Sequence, residues 1–196
     1  MRRAIVTTVC AGLALMACAG SAPAQGQANA APGGETAAWA ALREGAVVIF
    51  RHANAPGGGD PSGLKLGDCS TQRNLDAGGR EQARRIGERL RQERVVVGAV
   101  WASQWCRTRE TAELLKAASV RDAPAFNSFF GDRDREPAQT AAAREALLAW
   151  QGPGSLVVVT HQVNITALTG VFPASGEGVV LRRRGAQLEL MGRLLP

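Results

Sequence analysis

The 196 residues carry a formal charge of +6, with 45% hydrophobic, 20% charged and 5% aromatic residues. That length suits one ordinary domain with additional segments, and the balance excludes both a disordered chain and a membrane-embedded one. The arginines are interspersed with acids and the aromatics are sparse, which speaks against a base-stacking platform for nucleic acid; anionic lipid and a small anionic substrate stay open, and most of the arginines read as a solvated surface.

At the start of the chain, Arg2 and Arg3 form a short positive segment, Ala4 to Ala17 is apolar but short for a bilayer span, and small residues follow to Ala24. Residues 1–24 therefore read as a secretory signal peptide. Ala22-Pro23-Ala24 offers a peptidase site before Gln25, while "LMAC" at Leu15 to Cys18 resembles a bacterial lipobox. A periplasmic or exported protein and one held to a membrane through a lipid on Cys18 are both open. Residues 25–34 read as a flexible linker and 35–196 as the folded domain. Of four cysteines, Cys10 and Cys18 lie in the signal, so Cys69 and Cys106 remain to pair in an oxidising compartment. The alternative is two buried thiols. Two cysteines with no histidine at ligand spacing do not make a zinc set, and neither metal nor cofactor is expected.

The apolar run Val47 to Phe50 predicts a strand that ends in Arg51 and His52, followed by the glycine-rich loop Gly57 to Gly59. Leu66 to Asn74 reads as irregular. Asp76 is placed to cap a helix whose apolar stripe is Ala83, Ile86, Gly87 and Leu90. Val95 to Ser103 predicts a second strand, with Ser103 capping the helix that carries Arg107, Thr111, Leu114 and Leu115. After Phe126 to Phe130 comes the charged loop "GDRDRE", and Pro137 suits the first turn of a helix running through Leu147 and Leu148. Ser155 to His161 is a third strand, followed by a helix through Ile165 and Leu168 to Gly170. A hairpin-like pair near Val179 to Leu181 and Gln187 to Leu190 closes the chain.

Continuous apolar strands alternating with amphipathic helices predict a three-layer α/β fold, a mostly parallel central sheet with helices on both faces. Ligands of such sheets bind outside the carboxyl ends of the strands. Arg51 and His52 follow the first strand, Arg107 opens the helix after the second and His161 ends the third. Two guanidiniums at one point suit a phosphate, and the start of the Arg107 helix would add backbone donors for the same anion. A histidine held neutral by neighbouring arginines can attack phosphorus to form a phosphohistidine. The residues alone do not choose which histidine attacks.

"FRHA" at Phe50 to Ala53, "NLDAGGREQARRIGERL" from Asn74, "SQWCRTRETA" at Ser103 to Ala112 and "VVVTHQ" ending at Gln162 together resemble the motifs of the histidine phosphatase superfamily, in its phosphoglycerate mutase-like, small exported branch. The resemblance spans roughly residues 45 to 170. It implies that His52 is the nucleophile, that Arg51 and Arg107 bind the phosphoryl group, and that His161 donates a hydrogen bond to it. Ala53 stands where the signature has glycine and adds a methyl group near the pocket floor. Gln162 follows His161 where larger acid phosphatases carry aspartate, so a proton donor must come from elsewhere. Asp132 in the charged loop is preferred, with Asp134 and Glu136 as alternatives. The expected function is an exported phosphatase that hydrolyses small phosphomonoesters through phospho-His52. A phosphatase acting on an envelope glycolipid such as the lipopolysaccharide core, and a non-catalytic phosphate-binding domain, are the alternatives.

Overall fold

A computed structural model describes residues 33–196 together with Met1. The signal segment, Cys18 and residues 25–32 lie outside the described residues. Strand β1 (Val47–Arg51) runs parallel to β4 (Ser155–Thr160), and β2 (Val97–Ala102) pairs in parallel with β4 and with the short edge strand β3 (Val120–Asp122). On the other side β5 (Gly178–Arg184) is antiparallel to both β1 and β6 (Gln187–Leu194), giving the order β3-β2-β4-β1-β5-β6.

Alternate side chains of the central strands point to opposite faces, and both faces are covered. Val48, Phe50, Val100, Ala102, Val157, Val159 and Val180 pack beneath α1 (Gly34–Arg43), α2 (Ala77–Gln92) and α3 (Cys106–Leu114). Val47, Ile49, Trp101, Leu156, Val158, Val179 and Leu181 pack beneath α4 (Glu136–Leu148) and α5 (Gln162–Thr169). Burial on both sides is why β1 and β4 read as unbroken apolar runs, and each buried Val, Leu or Ile contributes about 1.5–3 kcal/mol. The three-layer α/β expectation holds, including the antiparallel pair at the end.

Three local features differ from the sequence reading. Residue 34, placed at the end of a linker, opens helix α1, whose Ala38, Trp39, Ala41 and Leu42 are buried. β3 is absent from the reading because Val120-Arg121-Asp122 offers no apolar run. Ser103 does not cap α3: the capping position is Trp105, with no side-chain cap, and the Ser103 hydroxyl is used elsewhere.

Helix α2 starts as expected, with the Asp76 carboxylate accepting from the Gly79 N–H at 2.6 Å. It lies against the end of α3 so closely that a Cβ on Gly87 would stand 2.1 Å from the Leu115 carbonyl oxygen. Gly87→Ala should therefore push α3, and Arg107 with it, away from α2 at a cost of about 1–3 kcal/mol. The expected result is a lower urea midpoint with an unchanged slope.

Candidate active site

The strand ends are tied to one another before any functional side chain is placed. The His52 N–H donates to the Thr160 carbonyl at 2.9 Å and the Ser103 N–H to the Val159 carbonyl at 3.0 Å, so both ladders continue one residue past the strands. Thr111, fully buried on α3, accepts from the Ala53 N–H at 3.1 Å and donates to the Arg107 carbonyl at 2.7 Å. That hydroxyl joins the His52 segment to the first turn of α3. Cys69 and Cys106 form a disulfide with Cα atoms 5.7 Å apart, and Gln72 accepts from the Cys106 N–H at 2.9 Å.

Arg51, His52, Arg107 and His161 line one cavity of about 170 Å³, joined by Gly57 to Gly59, Asp60, Arg73, Ser128 and Phe130. The two imidazoles stand edge to face, with ring centres 5.6 Å apart. They differ in what their nitrogens do. Nδ1 of His52 lies 2.8 Å from the Ala53 carbonyl, which can only accept, so the proton sits there and the lone pair falls on Nε2. Nδ1 of His161 lies 3.3 Å from a nitrogen of Arg107, which can only donate, so this nitrogen is the acceptor and Nε2–H donates to the Ser103 hydroxyl at 2.8 Å. Both nitrogens of His161 are engaged by protein groups.

Both histidines are neutral. Burial, reinforced by the charge of Arg107, lowers the His52 pKa from its ordinary 6.5 to about 3. The same two causes hold His161 well below 6.5. The unfolded chain therefore binds more protons than the folded one between about pH 3 and 6.5, so stability is complete above that window and falls as the pH drops through 6.5. From pH 7 to pH 5 His52 should remove about 2 kcal/mol from the unfolding free energy, and His161 acts in the same direction. Urea titrations at the two pH values should show His52→Asn reducing the drop by about 2 kcal/mol.

Three guanidiniums face the cavity and none is fully paired. The Nε atoms of Arg51, Arg73 and Arg107 are buried without a hydrogen-bond partner. Burial first, then the charge of Arg107, lowers the pKa values of Arg51 and Arg73. Arg107, 3% exposed, directs Nη1 and Nη2 at the two carboxylate oxygens of Asp60 at 2.5 and 3.0 Å. Burial would raise the Asp60 pKa, but the hydrogen bond and charge of Arg107, helped by the Trp105 indole, outweigh it and hold the carboxyl below its usual range.

Sequence reasoning missed both Asp60 and Arg73. The signal for Asp60 is its place directly after Gly57-Gly58-Gly59, on the loop that follows the His52 strand. Arg73 lies in the stretch read as irregular, and its Nη1 donates to the Ala55 carbonyl beneath that loop.

The structure does not bring Asp132 into the His52 cavity. A turn in which the Asp132 N–H donates to the Phe129 carbonyl at 3.1 Å carries it outward, and it lines an adjoining cleft with Trp105 and Phe130. Asp134 is exposed on the following turn, and Glu136 pairs with Arg133 at 2.9 Å. Two smaller expectations also change. The backbone N–H of Cys106, at the start of α3, is taken by Gln72, and the helix start that lines the cavity is that of α5, at Gln162 and Val163. The Ala53 methyl does not reach the pocket floor: it packs with Ala55, Leu75 and Ala83.

Residues 47–152, more than half of the chain, match the family model of the histidine phosphatase superfamily, branch 1. The chain belongs to the histidine phosphatase superfamily. It is an enzyme of the phosphatase type. The family match ends before His161, which enters the site through the pairing of β4 with β1 and β2. Among solved structures, the protein histidine phosphatase SixA complexed with tungstate is 18% identical, with a TM-score of 0.54 over 77% of this chain and 97% of that one. The mycobacterial glucosyl-3-phosphoglycerate phosphatase Rv2419c is 16% identical, with a TM-score of 0.56 over 74% and 96%. A phosphoserine phosphatase from Entamoeba histolytica is 11% identical, with a TM-score of 0.55 over 76% and 95%. At these identities the likeness is one of fold. No curated protein matches the sequence.

The Cys69–Cys106 bond closes a loop over a sequence separation of 37, for which the chain-entropy estimate is roughly 4 kcal/mol. Replacing both cysteines by alanine should lower the unfolding free energy by an amount of that order. It should also lower phosphatase activity, because Arg107 directly follows one end of the bridge. Denaturant unfolding of oxidised and reduced wild-type protein checks the first effect.

Proposed function

We propose that the protein is an exported phosphatase that hydrolyses small phosphomonoesters through a phosphohistidine on His52. The observation that carries this reading is the free Nε2 lone pair of a buried, neutral imidazole in a cavity lined by three guanidiniums, those of Arg51, Arg73 and Arg107. Arg51, Arg73 and Arg107 hold the phosphoryl oxygens. The Nε2 lone pair forms the P–N bond as the P–O bond to the alcohol breaks, and water then attacks phosphorus, breaks the P–N bond and restores the imidazole. Charge growing on the equatorial oxygens meets fixed donors whose orientation needs no rearrangement.

His161 can join those donors only if Nδ1 gains a proton. The Ser103 hydroxyl suits either tautomer, because it can accept from Nε2–H or donate to Nε2. In the tautomer with Nδ1 protonated and Nε2 accepting from Ser103, the second histidine is a donor without net charge.

The disulfide accords with an oxidising compartment. Export through residues 1–24 and a lipid anchor at Cys18 belong to the same reading. Among the described residues no helix is long and apolar enough to cross a membrane.

Rapid quench with labelled substrate should place acid-labile label on the wild-type protein and none on His52→Ala. The variant should lose turnover while keeping the fold by circular dichroism. Acid-stable label, or near-normal activity in His52→Ala, would overturn the covalent route, and saturable phosphate binding without release would identify a binding domain instead.

A further inference from the structure

The cavity around His52 continues outward. A second cleft, lined by Pro61, Leu64, Trp105 and Asp132, shares Gly59, Asp60, Ser128 and Phe130 with it. An ester whose phosphoryl group was held on the arginines would extend into this cleft, where the exposed ring of Phe130 stands. Its bridging oxygen would then lie at the junction. Among the described residues lining the inner cavity, Asp60 is the one carboxyl, and it sits at that junction. Its two oxygens face Arg107 on the phosphoryl side, and Oδ2 also accepts from the Trp105 indole N–H at 3.1 Å on the outer side.

We propose that Asp60 is the acid–base residue of the reaction, protonating the leaving alcohol and then deprotonating the attacking water. The assignment rests on the phosphohistidine reading above. In the first step the Asp60 proton passes to the bridging oxygen while His52 Nε2 bonds to phosphorus, so the product leaves as a neutral alcohol and Asp60 becomes a carboxylate. In the second step the carboxylate takes a proton from the water that attacks phosphorus, the P–N bond breaks and Asp60 regains its proton.

Asp60 reaches its protonated form because of how the site is wired. In the free protein Arg107 grips the carboxylate in the arrangement that a phosphoryl group also seeks. A phosphoryl dianion that takes over the Arg107 donors removes the main stabilisation of the carboxylate and places negative charge beside it. Both changes raise its proton affinity against Arg73 and Trp105, the other groups that face it. The loop has room to adjust, since a Cβ on Gly58 or Gly59 would meet nothing within 4 Å.

Leaving-group dependence tests the assignment. p-Nitrophenyl phosphate expels a stable phenolate that needs no proton, whereas glycerol 2-phosphate must expel an alkoxide. For Asp60→Asn, the loss of kcat/KM on glycerol 2-phosphate should exceed the loss on p-nitrophenyl phosphate by about tenfold or more. Acid-labile phosphohistidine should accumulate during p-nitrophenyl phosphate turnover, because water attack has lost its base. Asp60→Glu should recover part of the glycerol 2-phosphate activity. Inhibition by inorganic phosphate, retained in Asp60→Asn, confirms that Arg107 still presents its donors. Equal losses on both esters, or a tighter phosphate inhibition with no split between them, would make Asp60 a mere counter-ion of Arg107. The same split produced by Asp132→Asn and not by Asp60→Asn would move the role to the charged loop. A wild-type protein that releases phosphate from neither ester overturns the phosphatase reading, and the role of Asp60 with it.

Discussion

Three buried or half-buried guanidiniums are gathered around an imidazole at the open edge of the sheet, and their mutual repulsion is the constraint that the surrounding structure answers. Like charges in a partly desolvated site repel more strongly than in water, and burial alone disfavours each of them. The shifts of Arg51, Arg73, His52 and His161 all share Arg107 as a charged cause. A cluster of this kind stays assembled only if something else holds it. Asp60 neutralises part of the charge in the free protein, and an anion in the cavity lined by the three arginines would neutralise more of it.

The backbone supplies the rest of the restraint. Arg107 is held by three ties: the disulfide beside it and the Gln72 side-chain oxygen on the Cys106 N–H bind the start of α3 to residues 69–72, and Thr111 joins the Ala53 N–H to the Arg107 carbonyl. Behind α3, the glycine at 87 lets α2 approach the Leu115 backbone. None of these groups lines the cavity, yet together they fix where Arg107 stands relative to the segments around His52. Sub-ångström placement of donors matters most where their effect comes from orientation and not from flexible charge.

The central sheet was legible in the sequence because its strands are buried on both faces and so carry unbroken apolar runs, Val47 to Phe50 and Leu156 to Val159. The same burial made the abrupt change to Arg51 and His52 informative. β3 was not legible, since an edge strand of three residues needs no apolar pattern, and α1 was masked by the alanine- and glycine-rich stretch before it. Ser103 reads as a helix cap because serine before a helix usually is one. Here the hydroxyl serves His161 across a sequence separation of 58, a pairing that depends on the register of β2 against β4. Asp60 and Arg73 escaped for a similar reason. Both lie on irregular segments whose path is set by the disulfide and by contacts with the His52 loop, so no local period announces them. Asp132 drew attention through charge density, which marks a solvated loop as readily as a site.

The Ala53 position shows how a departure from a signature can leave the chemistry intact. What His52 requires from the next residue is a carbonyl oxygen to hold the Nδ1 proton, and every residue has one. The side chain matters only through the space it needs, and the Ala53 methyl finds that space among Ala55, Leu75 and Ala83, where it adds to a small apolar cluster. Glycine there would leave that cluster short of a methyl group and give the backbone more freedom, loosening the group that fixes the tautomer. The tautomer in turn decides which nitrogen carries the lone pair. The orientation of one backbone carbonyl, set by the His52 N–H on Thr160 and the Ala53 N–H on Thr111, thus determines that the lone pair of His52 faces the arginines.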